Sequence, residues 1–358
     1  MNTKYTRFAL AAVVYTAFAV YLYRPYFRGF TSLRIQDLFV ANVCFASLGC
    51  YVLSRRWVAG FVESFFAGAV YGFGPFILGL AKFHPTAGFL VAVIPWLFCP
   101  AVFGPQGKFK LLRVPLSLLP FLAIVLFFQL AARFGLYPIP INLKLRGAET
   151  AGLLAPLVAA KRNMTLAGFY HIPVAPLVMG LSMLLVPLEG LRKGGVLQRG
   201  RFLKGLAVRR LGIVAIFAVA TVFAFCDSFL EISPVIWLAV SVLCWAVLIG
   251  AGMQGLISAG FADRKWILFT AIVMGAAAIV TLLLATKYFQ TFAGLGSGYA
   301  RLLTEEAKMY ILGAITIAIF FFMTRAKLQI HLLKVGLLCA TMGLDIFLGA
   351  RFVVDRIL

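Results

Sequence analysis

The sequence predicts an all-α, polytopic integral membrane bundle with about 10–11 transmembrane helices and no sizeable soluble domain. Of its 358 residues, 63% are apolar and 12% are charged, whereas soluble domains have roughly 45–50% and about 25%. The apolar residues form continuous runs, and most cations lie between the runs. Such runs favour helices over barrel strands, whose apolar residues alternate, because lipid leaves every backbone group to be paired within the protein.

Eleven apolar runs are close to the length that crosses a bilayer. A helix needs about 20 apolar residues to cross the roughly 30 Å hydrocarbon layer. Charged residues, Pro or Gly bound each run, and the first and tenth runs are short. We therefore expect residues 1–358 to form one transmembrane domain. The predicted spans are 8–24, 36–54, 57–80, 86–104, 115–135, 172–190, 210–228, 233–258, 266–286, 309–324 and 329–350.

The cations between the runs predict an orientation. With the N-terminus in the cytoplasm, nineteen of the 33 Lys and Arg residues fall on the cytoplasmic side, as the positive-inside rule favours. The connection 192–210 is the largest single contributor, and its seven cations suit anionic headgroups. We expect a multi-pass protein of the bacterial inner (plasma) membrane, with a cytoplasmic N-terminus and anionic membrane lipids as partners.

Charged residues inside the apolar runs are the first candidate functional residues. A charge near the bilayer centre costs at least about 2.5–3.5 kcal/mol, so it usually marks a functional site or a paired structural group. Glu63 lies in the third run and Asp345 in the last. Lys334 precedes Asp345 by about three helical turns, which places both on one helix face. This face has two interpretations. It forms a polar path, or Lys334 extends to the membrane surface while a neighbouring helix provides a hydrogen-bond partner for Asp345.

The third run also contains a predicted break. Gly68-Ala-Val-Tyr-Gly72 is a G-x-x-x-G pattern, which lets helix backbones approach closely. Phe73-Gly74-Pro75 follows it and predicts a kink or a broken helix. Gly74 is therefore a candidate binding position, because broken helices of carriers present backbone groups to solutes.

The long connection 136–171 predicts a basic surface on one membrane face. Its apolar segment 150–160 is too short to span, so we expect an interfacial or re-entrant segment there. Arg and Lys around it form a lip that is suited to a phosphate or carboxylate group, or to lipid headgroup anchoring alone. The residues of this lip are Arg133, Lys144, Arg146, Lys161 and Arg162.

Other chemistry receives little support from the sequence. The predicted topology separates His84 and His171 from His331, so no metal site is expected and each histidine is read as an interfacial donor. No cofactor is indicated, and no hydrolase motif is found. Residues 302–309 are read as a short, solvated surface helix. The excess of cations is explained by lipid, so no nucleic acid partner is expected.

Three functions remain open. The first is a membrane carrier or flipping protein for an anionic or lipid-linked solute, which the interrupted runs and the basic lip favour. The second is a non-catalytic membrane subunit that docks other membrane subunits through its many aromatic side chains. The third is a membrane enzyme that acts on a lipid headgroup. The predicted substrate-binding residues are Glu63, Gly74, Arg133, Lys144, Arg146, Lys161, Arg162, Lys334 and Asp345.

Overall fold

The protein is a helical bundle in a computed structural model that describes residues 3–26, 38–58, 60–80, 85–103, 113–134, 152–161, 168–182, 200–226, 232–286, 297–326 and 330–357. No β-strand occurs among them, which confirms the all-α membrane fold. The helices are α1 Thr3–Tyr23, α2 Leu38–Ser54, α3 Phe61–Gly72, α4 Pro75–Leu80, α5 Pro85–Phe103, α6 Arg113–Arg133, α7 Pro156–Lys161, α8 at 174–182, α9 Gly200–Phe225, α10 Pro234–Ser258, α11 Arg264–Ala285, α12 Ser297–Arg325 and α13 His331–Ile357.

Six helical segments are long and apolar enough to cross a membrane. They are Tyr5–Tyr26, Phe61–Leu80, Pro234–Ser258, Arg264–Ala285, Gly298–Arg325 and His331–Arg356. Shorter apolar helices occupy Leu38–Ser54, Gly88–Pro100 and Ile213–Phe225. The chain is thus a multi-pass membrane protein. A helix lies in each of the eleven predicted runs, and the crossing of the bilayer by every one of them stays a prediction.

The centre of the bundle is α10, in which 94% of the most apolar 18-residue stretch is buried. Lipid tails are as apolar as leucine, so helices in membranes associate largely through close packing of small residues. Gly252 of α10 lies against the carbonyl of Pro176, so that a Cβ there would collide with it. A Cβ on Gly180 of α8 would lie 2.7 Å from the Leu248 carbonyl oxygen. Small residues on both helices therefore set the α8–α10 crossing.

The predicted break in the third run is present. α3 ends at Gly72 and α4 begins at Pro75, a position where the missing N–H of proline costs no helical hydrogen bond. The turn is tight, because a Cβ on Gly74 would collide with the carbonyl of Val70. Gly68 and Gly72 face α2, where a Cβ on Gly68 would lie 2.5 Å from the Ser47 carbonyl oxygen.

Two helices begin ten or more residues earlier than the sequence predicts. α12 begins at Ser297, so the expected surface helix at 302–309 and the short run 309–324 are one continuous helix. α9 begins at Gly200, which makes the second half of the cationic connection helical. A helix continues into the polar headgroup region because its backbone hydrogen bonds are independent of lipid, whereas hydropathy marks only the apolar part.

Candidate functional site

Five polar side chains meet inside the bundle, between α7, α12, α13 and the segment before α8. We call them the buried polar cluster: His171, Asp345 and Glu306, with Tyr170 and Tyr310 beside them. The exposed fraction of each of the five side chains is 1% or less. Ionisable groups so deeply buried need partners within the protein.

His171 and Asp345 form the centre of the cluster. Their Nδ1 and Oδ1 atoms are 2.8 Å apart. The second carboxylate oxygen of Asp345 accepts a hydrogen bond from the backbone N–H of Ile172 at 2.6 Å. Because both oxygens bind adjacent residues of one segment, Asp345 holds the start of α8 against α13. It also orients the imidazole, whose Nδ1 donates to the carboxylate.

Glu306 lies on the neighbouring helix α12 and holds α7. Its Oε1 accepts hydrogen bonds from the backbone N–H groups of Leu157 and Val158, at 2.6 and 3.1 Å. These groups belong to the first turn of α7, where helical N–H groups lack partners within the helix and favour a negative charge. The opposite oxygen, Oε2, is buried and makes no hydrogen bond among the described residues.

Tyrosines connect the cluster to its surroundings. The ring of Tyr310 packs edge-on against His171, with centroids 5.0 Å apart, and its hydroxyl donates to the Leu154 carbonyl at 2.9 Å. The hydroxyl of Tyr170 donates to the carbonyl oxygen of Phe73 at 3.0 Å. Phe73 is the residue at which α3 is interrupted. The cluster therefore touches the broken helix through one hydrogen bond.

A glycine admits this segment to the interior. Gly168 has φ of +135°, a backbone conformation that side-chain-bearing residues rarely adopt. On α13, Gly349 lies directly against the ring of Tyr170. The chain can therefore turn at Gly168 and insert Tyr170 next to a helix that presents no side chain at the contact.

The pKa of His171, which precedes the predicted span 172–190 along the chain, is raised. Burial favours the neutral imidazole and by itself lowers the pKa. The charge of Asp345 and its hydrogen bond to the ring act in the opposite direction and outweigh burial, with a further contribution from Glu306. The cationic form of His171 is thus more favoured than in a free histidine, and the imidazole interacts electrostatically with the carboxylates of Asp345 and Glu306.

The structure brings some of the predicted binding residues together and separates others. Asp345 lies in the cluster, and Gly74 adjoins the Phe73 carbonyl that Tyr170 binds. Lys334 is on the same helix as Asp345, but its Nζ donates to the Ala259 carbonyl at 2.9 Å, at the C-terminal end of α10. A cation is favoured at that helix end.

Glu63 lies apart from the cluster. Because α3 begins at Phe61 instead of at residue 57, Glu63 is in the first helical turn and not deep in the helix. Its carboxylate folds back on Gly60, so that a Cβ on Gly60 would collide with it. A carboxylate at this position is favoured by the helix dipole.

The predicted basic lip is described in part. Arg133 is exposed at the end of α6. Lys161 ends α7, and its Nζ lies 4.5 Å from the centre of the Tyr299 ring. The Lys161 carbonyl is 3.5 Å from Nη2 of Arg356 on α13, so a second cation joins the lip. Lys144, Arg146 and Arg162 lie outside the described residues.

Sequence reasoning identified only Asp345 among the five members of the cluster and missed the other four, Tyr310 among them. The expectation of a solvated face is wrong for Glu306, whereas the adjacent Glu305 is about half exposed and binds Lys308. His171 was expected at the membrane surface, yet it is buried. One signal pointed to it: an aspartate inside a lipid-facing run needs a donor, and His171 is one of three histidines in the chain. Nothing in the sequence pointed to Tyr170.

In the part of the chain that the structure describes, no group of three or more metal-ligating side chains is suited to a metal ion. Comparison with protein-family models, with curated proteins and with solved structures finds no match to this chain. The buried polar cluster and the broken helix are therefore the features of the molecule that bear on its function.

Proposed function

We propose that the protein is a membrane carrier or flipping protein for an anionic or lipid-linked solute. The observation that supports this most is the contact between the broken helix α3–α4 and the buried polar cluster, through Tyr170 and the Phe73 carbonyl. In carriers, interrupted helices place free backbone groups next to polar side chains inside the membrane, where a solute exchanges with internal hydrogen-bond partners. Tyr170 is such an exchangeable partner.

The cations of the basic lip favour an anionic solute. Lys161 and Arg356 lie where α7 meets α12 and α13, and both are able to bind phosphate or carboxylate oxygens. The two cluster carboxylates already have donors, Asp345 through His171 and Glu306 through α7. An anionic headgroup or solute is thus attracted at the lip. The proposal also includes anionic lipids as partners and the bacterial inner membrane as the location.

A labelling experiment tests the carrier without knowledge of the solute. The six cysteines are replaced, and one cysteine is introduced by Val174→Cys, next to the cluster and half-buried. A membrane-impermeant maleimide is applied to right-side-out and to inverted vesicles. We expect labelling from both sides, because a carrier opens its site alternately. Leu332→Cys, at an 83% exposed position, is the control and should react from one side only. Labelling of Val174→Cys from a single side contradicts the proposal.

A second candidate function, an enzyme acting on a lipid headgroup, is favoured by one feature of the cluster. A carboxylate that orients an imidazole is the arrangement by which proteins position a general base. The test is incubation with phosphatidylglycerol vesicles, followed by phosphorus NMR of the released headgroup. Release that is lost in His171→Gln supports an enzyme, and no release by the intact protein removes this candidate for that lipid.

A further inference from the structure

We propose that His171 and Glu306 form a binding site for one exchangeable proton, which is the coupling ion of the carrier. The coupling rests on the proposed function, whereas the binding of the proton does not. Two observations carry the inference: each residue has one side-chain atom committed to a partner, and each has one buried atom without a hydrogen bond among the described residues.

The committed atoms determine where the proton binds. Nδ1 of His171 is taken by Asp345, and Oε1 of Glu306 by two N–H groups of α7. The atoms that remain are Nε2 of His171 and Oε2 of Glu306. Both accept and release protons, since a neutral imidazole has a free lone pair at Nε2 and a carboxyl group carries its proton on one oxygen.

The charge of the cluster sets the number of protons. With Asp345 and Glu306 ionised and His171 cationic, the cluster carries a net charge of minus one. In the described part of the chain, neither carboxylate is paired with a lysine or arginine. A buried, uncompensated charge is costly inside a membrane protein. One additional proton, on Oε2 of Glu306, makes the cluster neutral. Loss of one proton, either this one or the one on Nε2 of His171, restores the single negative charge.

The other groups around the cluster do not supply a compensating positive charge. The segment before α8 contributes Tyr170, α12 contributes Tyr310, and the broken helix contributes only the Phe73 carbonyl. α1 contributes Tyr23, which is close enough to interact electrostatically with Tyr170. At the end of α7, the Lys161 ammonium lies over the Tyr299 ring, and the exposed Arg356 guanidinium of α13 contacts the Lys161 carbonyl. The tyrosines are neutral hydrogen-bonding groups near neutral pH.

Infrared spectroscopy of the full-length protein in lipid nanodiscs tests the site. We expect the wild type to show a protonated-carboxyl band that disappears as the pH is raised from about 5 to about 9, and we expect Glu306→Gln to lack that band. Glu305→Gln changes the adjacent, exposed carboxylate and should keep it. A titrating carboxyl band that is equally strong in Glu306→Gln overturns the proposal.

A second measurement needs no variant at the site. The chain has three histidines, so nitrogen NMR of the ¹⁵N-histidine-labelled wild type resolves each of them, with His84→Gln and His331→Gln used for assignment. We expect the Nε2 signal of His171 to shift with the midpoint of the carboxyl band. A signal that keeps one value between about pH 5 and about pH 9 overturns the proposal.

The outcomes separate the proton site from the carrier. Titration of the cluster together with one-sided labelling of Val174→Cys supports the site and contradicts the carrier. Two-sided labelling without titration of the cluster supports the carrier and contradicts the proton site. If the proton is the coupling ion, the rate of two-sided labelling changes several-fold between about pH 6 and about pH 8, after division by the rate of Leu332→Cys at the same pH, which removes the titration of the thiol itself. The same corrected rate in Glu306→Gln should not depend on pH, and a corrected rate that is also constant with Glu306 in place contradicts the coupling.

Discussion

At the scale of single residues, the ion pair between His171 and Asp345 determines both the free energy of burying the cluster and the stability that the cluster adds to the fold. The pair is buried, and each carboxylate oxygen has a separate donor. In proteins, removal of one partner from such a pair is far more damaging than replacement of both by apolar groups. The pair is therefore expected to behave as a unit in mutagenesis.

Asp345→Ala is predicted to destabilise the protein by roughly 3–5 kcal/mol, because it leaves the His171 ring and the Ile172 N–H buried without partners. The melting temperature in detergent, followed by tryptophan fluorescence, measures the effect. The double variant His171→Leu/Asp345→Leu should lose less stability than the two single changes together. Asp355→Ala removes a half-exposed carboxylate from the same helix and should cost below about 1 kcal/mol. Equal effects at both aspartates would contradict the prediction.

The raised pKa of His171 predicts a pH-dependent stability. Folding favours the cationic imidazole, so this contribution is complete below about pH 6.5, the usual pKa of histidine, and is lost as the pH rises through the higher pKa of the folded state. The wild-type melting temperature should therefore decrease above about pH 6.5, and His171→Asn should lack this component. His331→Gln, at an exposed position, should keep the wild-type profile. A wild-type profile retained in His171→Asn would contradict the assignment.

At the scale of secondary-structure elements, the cluster depends on close contacts between α13 and the segment before α8. Gly349 contacts the Tyr170 ring so closely that a Cβ would collide with it. By contrast, a Cβ on Gly343, in the same helix, would find no other atom within 4 Å. The two glycines thus form a matched pair in one helix.

Gly349→Ala is predicted to destabilise the protein by about 1–3 kcal/mol, the usual range for overpacking, because Tyr170 has to move away from the Phe73 carbonyl. Gly343→Ala should be neutral or slightly stabilising, since alanine favours helices more than glycine does. Melting temperatures of both variants measure the difference, and labelling of Val174→Cys reports whether the segment has moved. Similar losses in both variants would mean that helix propensity, and not contact with Tyr170, explains the effect.

The elements also show what sequence reasoning is able to find. The helices were predictable because lipid burial is a local property of each apolar run, and the break at Gly74 because Gly-Pro interrupts a helix locally. Asp345 was marked by its charge among apolar neighbours. Glu306 was not, since it is flanked by Glu305 and Lys308, and only tertiary contact with α7 shows that it is buried.

At the scale of the whole molecule, charge distribution and connectivity predict the topology. The connections 136–171 and 287–308 lie on one face in the eleven-span scheme, and the structure shows α7 of the first in contact with the beginning of α12. With a cytoplasmic N-terminus, this shared face is on the outside. The exposed apolar residues of α11, such as Ile272 and Ile279, are those expected of lipid contact.

Reporter fusions test this topology. We expect green fluorescent protein to fluoresce when it is fused to the N-terminus, and alkaline phosphatase to be active when it is fused to the C-terminus, because eleven crossings place the ends on opposite sides. A fusion of each reporter at the other end serves as the control. If both ends report the same side, the number of crossings is even, and one of the short predicted spans does not cross.

The separation of His171 and Asp345 along the chain has a consequence for biosynthesis. The two residues are 174 positions apart, and ribosomes add about 5–20 residues per second, so the histidine waits roughly 10–35 s for its carboxylate. By the end of that interval the twelve described helices before α13 are made, but His171 still lacks the carboxylate of Asp345. Completion of the last helix is therefore the event that closes the structure, and a chain that stops before it retains an unsatisfied interior that quality-control proteases are able to recognise.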